Sequence, residues 1–195
     1  MPKRAHAVVD GSNIATEGRS KPSLKQLDEA VAAFRDEYHF THITVIVDAS
    51  FEHRVTDRER RAARKAIDDG RIVTPPAGVI GRGDTFILEV AHRADAAVVS
   101  NDSFQEFHGS APWLFEEGRL IGGKPIPDIG WVFVPRTPVR GPVSRQAVRT
   151  AAKTAKTGKK GAAKPRPAAS SKPKKNGSRS TTFLKQRSST CWKRG

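Results

Sequence analysis

Four aspartates stand where a folded chain can bring carboxylates together. Asp10 and Asp48 each directly end a short aliphatic run, at residues 5–9 and 43–47. Asp102 lies in the Ser100-Asn101-Asp102 loop after a third run at 96–99, and Asp84 opens a stretch with helical spacing. Close carboxylates repel one another, so such a cluster usually persists by binding a cation. Oxygen-only donors select hard ions, Mg²⁺ or Mn²⁺, which retain waters that a phosphate can displace. One or two such ions activate water, hold non-bridging oxygens and stabilise a leaving oxygen, so the chemistry suggested is phosphodiester hydrolysis without a side-chain nucleophile. Each acid also has a plain structural alternative: a turn at Asp10-Gly11, a helix cap at Asp84, an Asx-turn at Asp102. Ser12 and Ser100 have no histidine at a recognisable triad spacing, which argues against a serine hydrolase. The six histidines show no ligand spacing, and one cysteine, Cys191, excludes an internal disulfide and any multi-cysteine zinc site. That usage suits a reducing compartment.

The elements that must position these acids follow from pattern. Residues 5–9 read as a buried strand opening into a loop at Asp10-Gly11. Ser23 and Gln26 form a capping box ahead of Leu24, Leu27, Ala30, Val31 and Phe34, predicting a helix to about Tyr38. The β-branched run 43–47 is a second strand, and Thr56 with Glu59 caps a highly charged helix that closes at Gly70. A short strand at 72–74 stops at Pro75-Pro76, 78–83 reads as a flexible loop, and Phe86, Ile87, Val90, Ala91 and Ala94 mark a helix from Thr85. After strand 96–99 come a short helix near Phe104, a turn at Gly122-Gly123 and a last strand at 131–134, with the ordered domain ending near Arg136. This alternation predicts an α/β domain of three-layer, Rossmann-like type: a mostly parallel sheet with helices on both faces. Ligands in such sheets gather at the switch point beyond the strand C-termini. With strands one and four flanking that point, Asp10 and Asp102 face each other and the start of the Asp84 helix closes the third side.

Charge divides the chain. Residues 138–195 hold 17 of the 35 Lys and Arg and no Asp or Glu, so the overall charge of +15 belongs to this Ala/Lys/Pro-rich tail. No core can be built from it, and disorder is expected over 142–195. Such a tail attracts phosphates through counterion release without reading sequence. Its composition is similar to that of linker-histone tails, which makes DNA a further candidate partner, and Phe183 and Trp192 offer two stacking rings. The bland alternative is a solubilising extension. The basic first residues lack a following apolar stretch, and no run approaches a membrane span, so neither a signal peptide nor a membrane association is expected. The expected location is the cytoplasm, with nucleoid or ribosome association through the tail as the alternative; a homo-oligomer stays open.

The acids sit inside longer motifs. Residues 8–13 read Val-Val-Asp-Gly-Ser-Asn, 83–88 Gly-Asp-Thr-Phe-Ile-Leu, and 95–104 Asp-Ala-Ala-Val-Val-Ser-Asn-Asp-Ser-Phe, followed by 113–120 Trp-Leu-Phe-Glu-Glu-Gly-Arg-Leu and 133–136 Phe-Val-Pro-Arg. Together these resemble the regnase-type NYN ribonuclease domain of the PIN nuclease superfamily, across essentially residues 5–141. The resemblance implies a PIN/NYN fold over 1–141 and Mg²⁺- or Mn²⁺-dependent endonucleolytic cleavage of single-stranded or structured RNA. It matches Asp10, Asp84 and Asp102 to the family's metal-binding acids and Asn13 to its companion asparagine, expected to orient Asp10 or a metal-bound water. Ser12, Ser100 and Asn101 lie beside these acids as further orienting candidates. Arg54, Arg58, Arg61 and Arg82 are candidates to guide a phosphate backbone; the alternative is an exposed face paired with Asp57 and Glu59. Two departures stand out. Gly83 occupies a position where the family commonly has another aspartate, for which Asp48 is the candidate substitute, and the CCCH zinc finger of animal regnases is absent. A binding protein that has lost catalysis, or a nucleoid-associated protein, is the competing reading, and a structure-specific DNA nuclease a third.

Overall fold

The computed structural model describes residues 4–76 and 83–158, with side chains to 155. In chain order these form β1 (His6–Asp10), α1 (Gly11–Thr16), α2 (Leu24–Tyr38), β2 (His42–Ile46), α3 (Phe51–Arg54), α4 (Asp57–Asp68) and β3 (Ile72–Val73). There follow α5 (Gly83–Arg93), β4 (Ala97–Val99), 3-10 turns at Gln105–Phe107 and Pro112–Phe115, β5 (Leu120–Ile126), β6 (Gly130–Arg136) and α6 (Pro142–Gly158). The strand order is β3-β2-β1-β4-β5-β6, parallel throughout except for the antiparallel β5–β6 hairpin. The switch point therefore lies between β1 and β4, as the alternation of elements predicts.

Side-chain alternation divides the core between the two faces of the sheet. Ala7, Val9, Val45, Ala97, Val99 and Ile121 join Ile14 of α1, Phe34 of α2, Phe51 of α3 and Ala63 of α4 on one face. Val8, Ile46, Val98 and Leu120 meet Ile87, Leu88 and Ala91 of α5 and Phe104 and Leu114 on the other. Each fully buried Leu or Phe contributes roughly 1.5–3 kcal/mol. The three-layer α/β class is thus present, with both faces covered.

Several local expectations change. The chain after β1 turns directly into α1, since Asp10 caps it by accepting from Asn13 N. Ser23 accepts from Gln26 N as expected, but the Gln26 amide donates to the Ile14 and Glu17 carbonyls, so the box is not closed reciprocally. Thr56 makes no capping bond through its side chain; its hydroxyl donates instead to Glu59 Oε2 at 3.2 Å. Gly122-Gly123 is not a turn but mid-strand in β5, opposite Val134 and Phe133. A Cβ on Gly123 would collide with the Phe133 ring, so these glycines serve close cross-strand approach. The hairpin turns instead through Asp128, at φ 61°, and Gly130, at φ 100°.

The expectation of disorder from residue 142 fails for the first 17 residues, which form α6. Pro142 is compatible with a first helical position, and the Ala/Arg/Gln/Lys run that follows consists of good helix formers. The helix docks by polar and steric fit rather than an apolar stripe. Ser144 is buried against His108 Nδ1 at 2.6 Å, and a Cβ on Gly109 would strike the Ala147 backbone. The 78–82 loop, with Arg82, and the tail beyond 158, with Phe183, Cys191 and Trp192, lie outside the described residues.

Candidate active site

Register brings the first two polar groups together. Val9 pairs with Val99 across the parallel β1–β4 ladder, so Asp10 and Ser100 emerge side by side at the switch point. Ser100 Oγ donates to Asp10 Oδ2 at 2.8 Å, and Asn13 N donates to Oδ1 at 3.1 Å. Asp10 is buried. Burial pushes its carboxyl up to about 7; the Ser100 and Asn13 donors pull it down, and the charges of Asp84 and Asp48 push it further up.

Asp84 lies in the first turn of α5, where a carboxylate is favoured by the helix dipole. Asp48 follows β2, and its backbone N donates to Ser12 Oγ at 2.8 Å. A Cβ added to Gly83 would collide with Asp48 Oδ1, so the Asp48 carboxylate occupies the space into which a side chain at 83 would project. Arg54 faces Asp48 Oδ2 at 3.6 Å. Asp84 and Asp102 line one cavity of about 250 Å³, together with Phe104 and Val143.

The loop carrying Asp102 is held from three directions. Asn13 Oδ1 accepts from Asn101 N at 2.9 Å, and the Asn101 amide bridges Glu17 and the Gly123 backbone. Ser100 Oγ accepts from Asp102 N at 3.1 Å. Arg136, at the end of β6, donates to the Ser100 carbonyl and to Ser103 Oγ, at 3.2 and 2.7 Å. Burial lowers the Arg136 pKa, against the opposing effect of the Asp102 charge. Asp102 Oδ1 accepts from Phe104 N, forming the Asx-type turn that was its structural alternative.

Of the sequence candidates, Asp48 and Asp84 thus lie near enough for their charges to act on Asp10, and Asp84 shares a cavity with Asp102. Asn13 grips Asp10 only through its backbone; its side chain is directed to Asn101. Ser12, Ser100 and Asn101 all hold neighbouring loops. Among the described residues no three His, Cys, Asp or Glu side chains stand close enough to ligate one ion together. The donors of the cluster are nonetheless all carboxylate oxygens, the chemistry a hard divalent cation accepts. Sequence reasoning gave no role to Arg136, Ser103 or His108. Arg136 ends the quoted 133–136 motif, which was the one available signal.

Fold and site define the class: a Rossmann-like α/β domain with an acidic centre at its switch point. The Zc3h12a-like Ribonuclease NYN domain matches residues 3–121, more than half of the chain, and the chain belongs to that family. The family is one of ribonuclease domains by its description. Among solved structures, nuclear protein-only RNase P 2 from Arabidopsis thaliana aligns at 18% identity and a TM-score of 0.50, over 70% of this chain and 30% of that one. A crystal structure of nuclear proteinaceous RNase P 2 from A. thaliana aligns at 16% identity and a TM-score of 0.49, over 69% and 30%. At such identity the likeness concerns the fold alone, and this chain spans about a third of the length of those proteins or less.

Proposed function

We propose that the chain is a Mg²⁺- or Mn²⁺-dependent endoribonuclease whose metal is held by Asp10, Asp84 and Asp102, with Asp48 as an additional ligand. The carrying observation is that Asp10 is buried at the β1–β4 switch point with the charges of Asp84 and Asp48 acting on it, while Asp84 shares a cavity with Asp102; a cation would relieve the repulsion among such acids. A divalent ion bound there would supply Lewis acidity towards the phosphodiester and a more acidic water. The chain's own residues do the positioning. Ser100 and the Asn13 backbone fix the Asp10 carboxylate, while Asn13, Asn101 and Arg136 keep the Asp102 loop in place. Asp48, standing where a side chain at Gly83 would reach, supports its reading as the substitute acid. The basic residues beyond 158 add sequence-independent attraction for RNA.

The test is Mn²⁺ titration calorimetry on the full chain, alongside cleavage of an internally labelled single-stranded RNA. The expected result is Mn²⁺ affinity that falls in Asp84→Asn and Asp102→Asn, with internal fragments made only in the presence of metal. Absent Mn²⁺ affinity, with RNA still bound, would transfer the chain to the non-catalytic binding class. Preferential cleavage of a DNA flap would favour a DNA nuclease.

A further inference from the structure

A basic feature of the described domain lies away from the acidic centre, against α6. A second cavity, of about 460 Å³, opens between α6 and the second 3-10 turn. Its lining is mostly apolar, with Phe115 and Val148, yet three arginines, Arg140, Arg145 and Arg149, stand around it. Arg145 and Arg149 are four residues apart on one face of α6. The helix carries no acidic residue, and none of the three arginines has an ion pair among the described residues. The Arg140 guanidinium lies 4.3 Å above the centre of the Phe115 ring, which leaves its outer plane for a second flat group.

We propose that the cavity beneath α6 is a binding site for single-stranded RNA, taking phosphates on Arg145 and Arg149 and a base against Arg140 and Phe115. The proposal rests on RNA being the substrate class but not on catalysis. Three observations select this occupant. Successive residues of α6 line the two cavities, Val143 the acidic one and Ser144 this one, so the arginines and the aspartates are both reached at the first turn of α6. The cavity is anchored to the acidic loop, because His108 bridges Ser144 and the Ser103 carbonyl, each at 2.6 Å, next to Asp102. The arginines call for an anionic occupant, and the chain's own C-terminal segment supplies no acidic side chain, since no Asp or Glu follows Asp128. An acidic peptide would answer the charge but gives no account of the ring stacked under Arg140. The helix lies beyond residues 3–121, the span of the family match.

The experiment uses the full chain in excess chelator, so that intact RNA is scored, and a fluorescent single-stranded RNA oligonucleotide read by anisotropy from low to moderate salt. Arg145→Gln/Arg149→Gln is compared with Arg60→Gln/Arg64→Gln, which removes equal charge from α4 on the opposite face of the sheet. Both pairs are exposed, so neither disturbs the core. The α6 pair is expected to weaken binding about tenfold and to lower the log-log salt slope by about 1.4, two single-strand phosphate contacts. The α4 pair should leave both nearly unchanged. Equal losses in the two pairs, or no loss in either, overturn the proposal. Ultraviolet crosslinking of the same complex should label the peptide containing Phe115. Suppression of that label by poly-glutamate as effectively as by unlabelled RNA overturns it in favour of an acidic protein partner. If RNA binds here but is not cut by the wild type with Mn²⁺, only the nuclease reading falls. Cleavage with unaltered binding in the α6 pair removes only this one.

Discussion

The cavity at the start of α5 and the cavity beneath α6 are lined by successive residues of α6, Val143 and Ser144, yet one is walled by Asp84 and Asp102 and the other by three arginines. The acidic cavity disfavours a phosphate until a cation neutralises it, whereas the basic one attracts phosphate without a metal, most strongly at low salt. On the proposed reading, holding RNA and hydrolysing it fall to different residues and should be separable by substitution. They also differ in construction. Asp10 is positioned by a buried hydrogen bond at the end of a sheet strand, while Arg145 and Arg149 project from a helix held by Ser144 and Gly109.

The largest effect should fall on the acidic side. Asp10→Asn is expected to reduce RNA cleavage on the order of a thousandfold, the several kcal/mol a metal centre supplies, while affinity for RNA in chelator stays within about twofold. Parallel loss of binding would merge the two regions into one. Next comes pH. Asp10 titrates near 3.9 when unfolded and at about 7 in the fold, so the folded chain holds this proton more tightly between those values. Its contribution to stability is complete below about pH 4 and is lost as pH rises through 7, by up to about 4 kcal/mol. Urea unfolding of the metal-free chain at several pH values should show this decline, Asp10→Asn should flatten it, and Mn²⁺ should restore stability at pH 8. A flat wild-type profile would mean that Asp10 is no buried strained acid.

A smaller change is expected from Ser100→Ala, which removes a donor to Asp10 and the acceptor of Asp102 N. It should cost about 1–3 kcal/mol in chemical denaturation and lower cleavage without altering RNA affinity at the α6 side. Smallest is Arg54→Gln. The pair with Asp48 is 3.6 Å long and half exposed, so stability should move by less than about 1 kcal/mol. A loss of RNA affinity in that variant would extend the basic surface to this side of the acids.

Much of the sheet is legible along the chain because its strands are short aliphatic runs closed by acids. β1, β2 and β4 fall where those runs predict, and the α2 cap is in place at Ser23. The glycine pair in β5 misleads because a turn and a close cross-strand contact use the same residue for different reasons; only the Phe133 ring lying over Gly123 distinguishes them. α6 misleads in the opposite direction. Its composition resembles the tail that follows, and the surface that orders it, around His108 and Gly109, lies more than thirty residues earlier.

What the sequence determined by itself is the inventory: four aspartates after strands or at a helix start, an asparagine three residues beyond the first, and a segregated positive charge. Local spacing suffices for these, since strand and helix periods are properties of neighbouring residues. Tertiary structure decided the assignments that depend on distant groups: Ser100 as the donor to Asp10, Asn13 as the clamp on Asn101, and Asp48 as the carboxylate filling the space beside Gly83. Hydrogen bonds and charge effects decay over a few ångströms, and only the register of β1 against β4 and the seat of α5 bring those atoms within that reach.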